Sequence, residues 1–147
     1  MRRNVLGWTL CLVTALAAWG GIAPAGRAEV RLPHVFSSHM VLQQDKPVVV
    51  WGWAQPAETV KVELAGHSQQ VQANDRGEWK ATLSALKAGG PLTLTVTGSS
   101  TVQCDDVMVG EVWLCSGQSN MEMGIGVCLN AKEEIAAANY PGIRLLK

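Results

Sequence analysis

The chain has 147 residues, 48% of them hydrophobic and 16% charged, with 12 basic and 12 acidic side chains. This excludes an intrinsically disordered chain, which would be poorer in apolar residues, and a nucleic-acid binder, which would carry a basic excess. The length fits one ordinary domain or two small modules.

Arg2 and Arg3 precede an apolar stretch over residues 5–19, and Gly26-Arg27-Ala28 is a small-x-small cleavage site before Glu29, with Ala23-Pro24-Ala25 as the alternative. This is the pattern of a secretory signal peptide over residues 1–28, and it predicts export to the periplasm or the extracellular space. An uncleaved membrane anchor is the competing reading, but Gly20, Gly21 and Pro24 interrupt the apolar run. Losing residues 1–28 removes Arg2, Arg3 and Arg27 and leaves nine basic against twelve acidic side chains, a net charge of −3. A mildly acidic exported protein is not drawn to nucleic acid or to an anionic membrane. Cys104, Cys115 and Cys128 remain, so at most one internal disulfide forms, and small buried thiols are the simplest reading. No Cys/His spacing suggests zinc, and no nucleotide loop or redox motif appears, so no cofactor or metal is expected.

Residues 29–105 follow a period of two. Residues 48–53 read as a buried strand, and residues 59–64 alternate with Val60, Val62 and Leu64 on one face. Residues 70–73 form a short partner before the turn cluster Asn74-Asp75-Arg76-Gly77, and residues 78–83 alternate again. A turn over 87–91 leads into the strand 92–97, and after Gly98-Ser99-Ser100 a further strand begins at Thr101. Short strands with turn signals every eight to twelve residues predict an antiparallel β-sandwich. Its tryptophans read first as core anchors, with Trp51 or Trp53 as a less favoured sugar platform.

The pattern changes at Asp105-Asp106, where solvated linker charges are the expectation. Residues 107–115 are nearly continuous apolar sequence, as in a strand covered on both faces, and the polar turn Ser116-Gly117-Gln118-Ser119-Asn120 follows. Asn130 with Glu133 predicts a capping box opening a helix that Asn139 and Pro141-Gly142 stop, and residues 143–146 start another strand. Residues 106–147 thus spell strand, turn, helix, strand, the start of a parallel α/β sheet. Forty-two residues cannot cover both faces of such a sheet, so the chain is expected to be the N-terminal part of a longer protein.

A serine on a sharp turn after a buried strand is the geometry of a serine hydrolase. Ser119 lies in Gly117-Gln118-Ser119-Asn120-Met121, which is not the G-x-S-x-G elbow, and on spacing alone a turn residue is the plainer reading. Ser116 has a weaker claim.

The block Val109-Gly110-Glu111-Val112-Trp113-Leu114-Cys115-Ser116-Gly117-Gln118-Ser119-Asn120-Met121-Glu122 closely resembles the sialate O-acetylesterase family of the SGNH-hydrolase superfamily. Residues 36–44 with Lys46-Pro47 and residues 50–54 resemble that family's N-terminal β-domain, and residues 130–141 resemble its segment after the nucleophile. The resemblance implies hydrolysis of an O-acetylated carbohydrate, with Ser119 as the nucleophile and its backbone N–H as an oxyanion donor. It also implies a His/Asp block near the end of the catalytic domain. His34, His39 and His67 all lie upstream of Ser119, none in a D-x-x-H spacing. His39 reads as a structural hydrogen-bonding residue and His67 as a turn residue. Gln118 and Asn120 read as turn-shaping residues, Met121 and Met123 as packing residues, and Glu122 is given no role. Without the implied His/Asp block, the 147-residue chain is expected to be inactive alone. The glycine-bearing segment 123–129 departs from the bulkier loop expected there. The alternative is a non-catalytic glycan-binding or scaffolding β-sandwich module.

Overall fold

The computed structural model describes residues 29–146. The leader reading of residues 1–28 lies outside the described residues. Among the described residues, seven strands form two sheets: β1 (Val41–Gln43), β2 (Val48–Trp53), β3 (Thr59–Leu64), β4 (His67–Gln72), β5 (Glu78–Leu83), β6 (Gly89–Thr97) and β7 (Thr101–Gly110). One sheet has the order β1-β7-β6-β3-β4, and the other is the ribbon β2-β5. β1 runs parallel to β7, whereas the other pairs are antiparallel, so the larger sheet is mixed where a purely antiparallel arrangement was expected.

The period-two segments become strands because alternation puts one side of each strand in the core. Val60, Val62 and Leu64 of β3, Leu94 and Val96 of β6, and Cys104 and Val107 of β7 are buried. They join Val48 and Val50 of β2 and Trp79, Ala81 and Leu83 of β5 in a single apolar cluster drawn from both sheets. Among the described residues, the indole N–H of Trp79 is the one buried side-chain polar atom without a hydrogen-bond partner. On the ribbon's border, the Thr82 backbone N–H donates to Gln69 Oε1 of β4 at 2.6 Å.

Two glycines are required by close approach. Gly77, at φ 76°, closes the turn after Asn74, and a Cβ there would strike the Ala54 carbonyl oxygen. Gly52 lies under residue 31, which bridges to Trp53 through reciprocal backbone bonds of 2.8 and 2.9 Å; a Cβ at 52 would meet the Arg31 carbonyl oxygen and the Trp79 ring.

Four local expectations are corrected. The strand expected over 107–115 ends at Gly110, because Val107, Met108 and Val109 continue β7 and pair with β6 and β1. Residues 111–118 carry no helix or strand. The strand expected over 143–146 is irregular chain, so the α/β pattern is reduced to α1 (Ser119–Glu122), a 3-10 turn (Ile125–Val127) and α2 (Ala131–Ala137). Asn130 precedes α2 as expected, but at φ 57° its side chain makes no capping bond, because N-capping geometry needs an extended backbone. His67 opens β4 rather than occupying the turn, which Ala65 and Gly66 make. Among the described residues, no helix is long and apolar enough to cross a membrane.

Candidate active site

β1 and β7 bring together two sequence blocks about 67 residues apart. The parallel register sets Val41 beside Met108 and Gln43 beside Gly110. At the exit of β7, Gln43 Nε2 and Gln44 Nε2 donate to the two Glu111 carboxylate oxygens at 3.1 and 2.6 Å, and the Val112 N–H donates to Gln43 Oε1 at 2.9 Å. The Gln44 and Gln43 amides hold the Glu111 carboxyl below its ordinary range. The chain therefore leaves the sheet in a fixed direction toward the segment that carries Ser119.

At the other end of β1, Ser38 Oγ accepts the Asp105 N–H at 3.0 Å, and His39 Nδ1 lies 2.6 Å from Asp106 Oδ2. A carboxylate only accepts, so Nδ1 carries the proton of this bond. Arg144 Nη2 donates to both Asp106 carboxylate oxygens at 2.9 and 3.0 Å, and its Nη1 donates to the Asp106 backbone carbonyl. The His39 bond and then the Arg144 guanidinium lower the Asp106 pKa. His39 and Asp106 both hold positive φ, at 67° and 54°. The structural role read for His39 is present. The linker reading of Asp106 is corrected: its carboxylate ties the loop before β1 to the C-terminal segment. Asp105 stays exposed and accepts from Thr93 Oγ1 and Gln103 Nε2, both at 3.0 Å. A groove runs between these elements, lined in part by His39, Asp106, Trp113, Cys115 and Arg144.

Ser119 is the first residue of α1 and is exposed. Gln118 precedes it, and the Met121 N–H donates to the Gln118 carbonyl at 2.8 Å, closing the turn that Gln118 was read to shape. Gly117 lies against the Met121 side chain, where a Cβ would collide. The serine thus stands where irregular chain enters a helix, with its residue open to solvent, and its own residue lies outside the lining of the groove. Ser116, Gln118, Asn120, Glu122 and Met123 are exposed too. Of the three cysteines among the described residues, Cys104 is buried as expected, whereas Cys115 and Cys128 are exposed, and all three are free thiols. Burial, and then the Asp105 charge, raise the Cys104 pKa. Among the described residues, no three His, Cys, Asp or Glu side chains gather as a metal site.

The His39–Asp106–Arg144 cluster is what sequence reading missed. Nothing linear connects positions 39, 106 and 144; they meet through the β1–β7 register and the return of the C-terminal segment.

No protein-family model matches the chain. Among curated proteins, it is similar to the sialate O-acetylesterase of Mus musculus, 30% identical over 154 residues, covering 96% of this chain and 27% of that protein. It is also similar to the sialate O-acetylesterase of Homo sapiens, 32% identical over 153 residues, covering 95% of this chain and 29% of the relative. Among solved structures, a carbohydrate acetylesterase from Xanthomonas citri superimposes with a TM-score of 0.73 at 40% identity, over 76% of this chain and 26% of that one. The chain spans less than a third of the length of each of these proteins.

Proposed function

Because this chain is a homologue of the sialate O-acetylesterases over nearly all of its length, we propose that it forms the nucleophile-bearing opening of a serine-dependent carbohydrate O-acetylesterase. In this reading residues 29–105 are the N-terminal β-sandwich domain, and residues 106–147 begin an SGNH-type α/β domain. The substrate is an O-acetylated carbohydrate of the sialate type. A leader over residues 1–28 adds export from the cytoplasm. The observation that carries the proposal is the Gly117-Gln118-Ser119-Asn120-Met121 block, in which Ser119 is exposed at the entry to a helix rather than packed inside a sheet.

Ser119 Oγ attacks the acetyl carbonyl, its proton passing to a general base, and the backbone N–H of Ser119 donates to the developing oxyanion. The sugar hydroxyl leaves with a proton, and water then releases acetate from the acyl-serine. In this reading the general base is a residue outside 29–146, and the His39–Asp106 pair serves the clasp with Arg144 described above. Residues 29–147 on their own are therefore expected to turn over ester several orders of magnitude more slowly than an enzyme that holds its base.

A hybrid tests this: residues 29–147 replacing the matching segment of the Xanthomonas citri enzyme, assayed for acetate release from an acetylated sugar. The hybrid is expected to be active and to lose at least roughly a thousandfold in kcat with Ser119→Ala. An active hybrid indifferent to Ser119→Ala refutes the assignment.

A further inference from the structure

The outer face of the β2–β5 ribbon carries Trp51 and Trp53, which lie outside the apolar core cluster, beside Phe36, which packs against it. Val49, Trp51 and Trp53 alternate outward from β2, while Val48 and Val50 point inward. Phe36 and Trp51 meet edge to face, with centroids 6.2 Å apart and an interplanar angle of 80°. Trp51 and Trp53 do the same at 5.6 Å and 77°. Trp51 is thus gripped on two sides by orthogonal rings, yet is 41% exposed. The expectation of a core anchor fits Trp79, which is 4% exposed, and not Trp51.

A surface indole held this way has already lost its rotamer freedom, so binding a flat apolar partner costs little further ordering. The charges around it are unequal. Arg31 lies over the Trp53 ring at 5.9 Å, fixed there by the bridge of residue 31 to Trp53 above Gly52. Lys80 is the cross-strand partner of Trp51 and is exposed. Among the described residues neither Arg31 nor Lys80 is in an ion pair. Glu78, the partner of Trp53, is turned to Asn74, whose Nδ2 donates to it at 3.0 Å. Thr82 adds a hydroxyl beyond Lys80 on the same face.

We propose that this face binds a pyranose carrying a carboxylate, the sugar's apolar face stacking on Trp51 and its carboxylate meeting Arg31 and Lys80. A neutral sugar would use the ring but leave two cations without a counter-charge, whereas an acidic sugar satisfies both. The proposal uses none of the Ser119 machinery and does not depend on the esterase reading.

The test titrates the full chain with 3′-sialyllactose, with trigalacturonic acid and with lactose, followed by calorimetry and tryptophan fluorescence. Binding of at least one acidic sugar, roughly tenfold tighter than lactose, is expected. Trp51→Ala is expected to weaken it by tenfold or more. Arg31→Gln and Lys80→Gln, which leave the aromatic rings in place, are expected to remove the preference over lactose. Ser119→Ala is expected to change nothing, which separates this site from the nucleophile. Near-ultraviolet circular dichroism checks that each variant keeps the buried Trp79 environment. Absence of binding at millimolar sugar, binding that survives Trp51→Ala, or equal affinity for lactose each overturns the proposal.

Discussion

Leu94 and Leu129 allow the same chemical deletion at two extremes of environment. Leu94 is 0% exposed in β6, flanked across the strands by Leu64 and Cys104, which are 2% and 3% exposed. Leu129 is 88% exposed just before α2. Truncating Leu94 to Ala removes buried methyl groups from a site walled by paired strands on both sides, which cannot collapse into the space. The transfer and cavity terms together predict a loss of about 3–4 kcal/mol. At roughly 4 °C per kcal/mol for a chain of this size, the melting temperature falls by about 12–16 °C. Leu129→Ala removes a side chain already in water and is expected to change stability by less than about 0.5 kcal/mol. Urea titrations followed by far-ultraviolet circular dichroism measure both, with the m value checking that the transition stays two-state. Comparable losses for the two variants would refute the view that the folding energy resides between the two sheets.

Gly52→Ala is expected to cost about 1–3 kcal/mol, because its methyl group meets the Arg31 backbone and the Trp79 ring, and to weaken any ligand held by Arg31; thermal melts decide it. Asp106→Asn is expected to lower the melting temperature at neutral pH. The Asp106 carboxyl is held below its reference value of 3.8 by His39 and Arg144, so its contribution is complete above that value and fades as pH falls through the depressed one. Parent and variant should therefore converge on acidification, and a difference that grew toward low pH would contradict the bonding. Iodoacetamide with peptide mapping should label Cys115 and Cys128 in the native protein within minutes and Cys104 only in denaturant; rapid native labelling of Cys104 would contradict its burial.

The strands most legible in the sequence were those whose alternation reports burial directly: β2, β3 and β5 match residues 48–53, 59–64 and 78–83. β7 was divided in two because Asp105 and Asp106 look like a junction. Asp106 instead adopts the left-handed conformation that Asp tolerates, and its charge is taken up by His39 and Arg144. A strand irregularity and an interdomain linker share the same acidic signature until their partners are known. The stretch after Gly110 misled differently. Val112, Trp113 and Leu114 are 51%, 83% and 96% exposed, so apolar composition there does not coincide with a cover among the described residues. For the candidate site, the motif around Ser119 was readable because it is local. The clasp formed by positions 39, 106 and 144 was not, because only the parallel register of β1 on β7 places its first two members together.

The two borders of the larger sheet also govern how one copy meets another. β1 offers just three residues, and β4, with the sequence His-Ser-Gln-Gln-Val-Gln, turns polar amides outward and lends one of them to the neighbouring ribbon. Neither rim is a long greasy template on which a second molecule could add its own backbone. Strand addition through these two rims is disfavoured at the very places where sheet proteins are most prone to it.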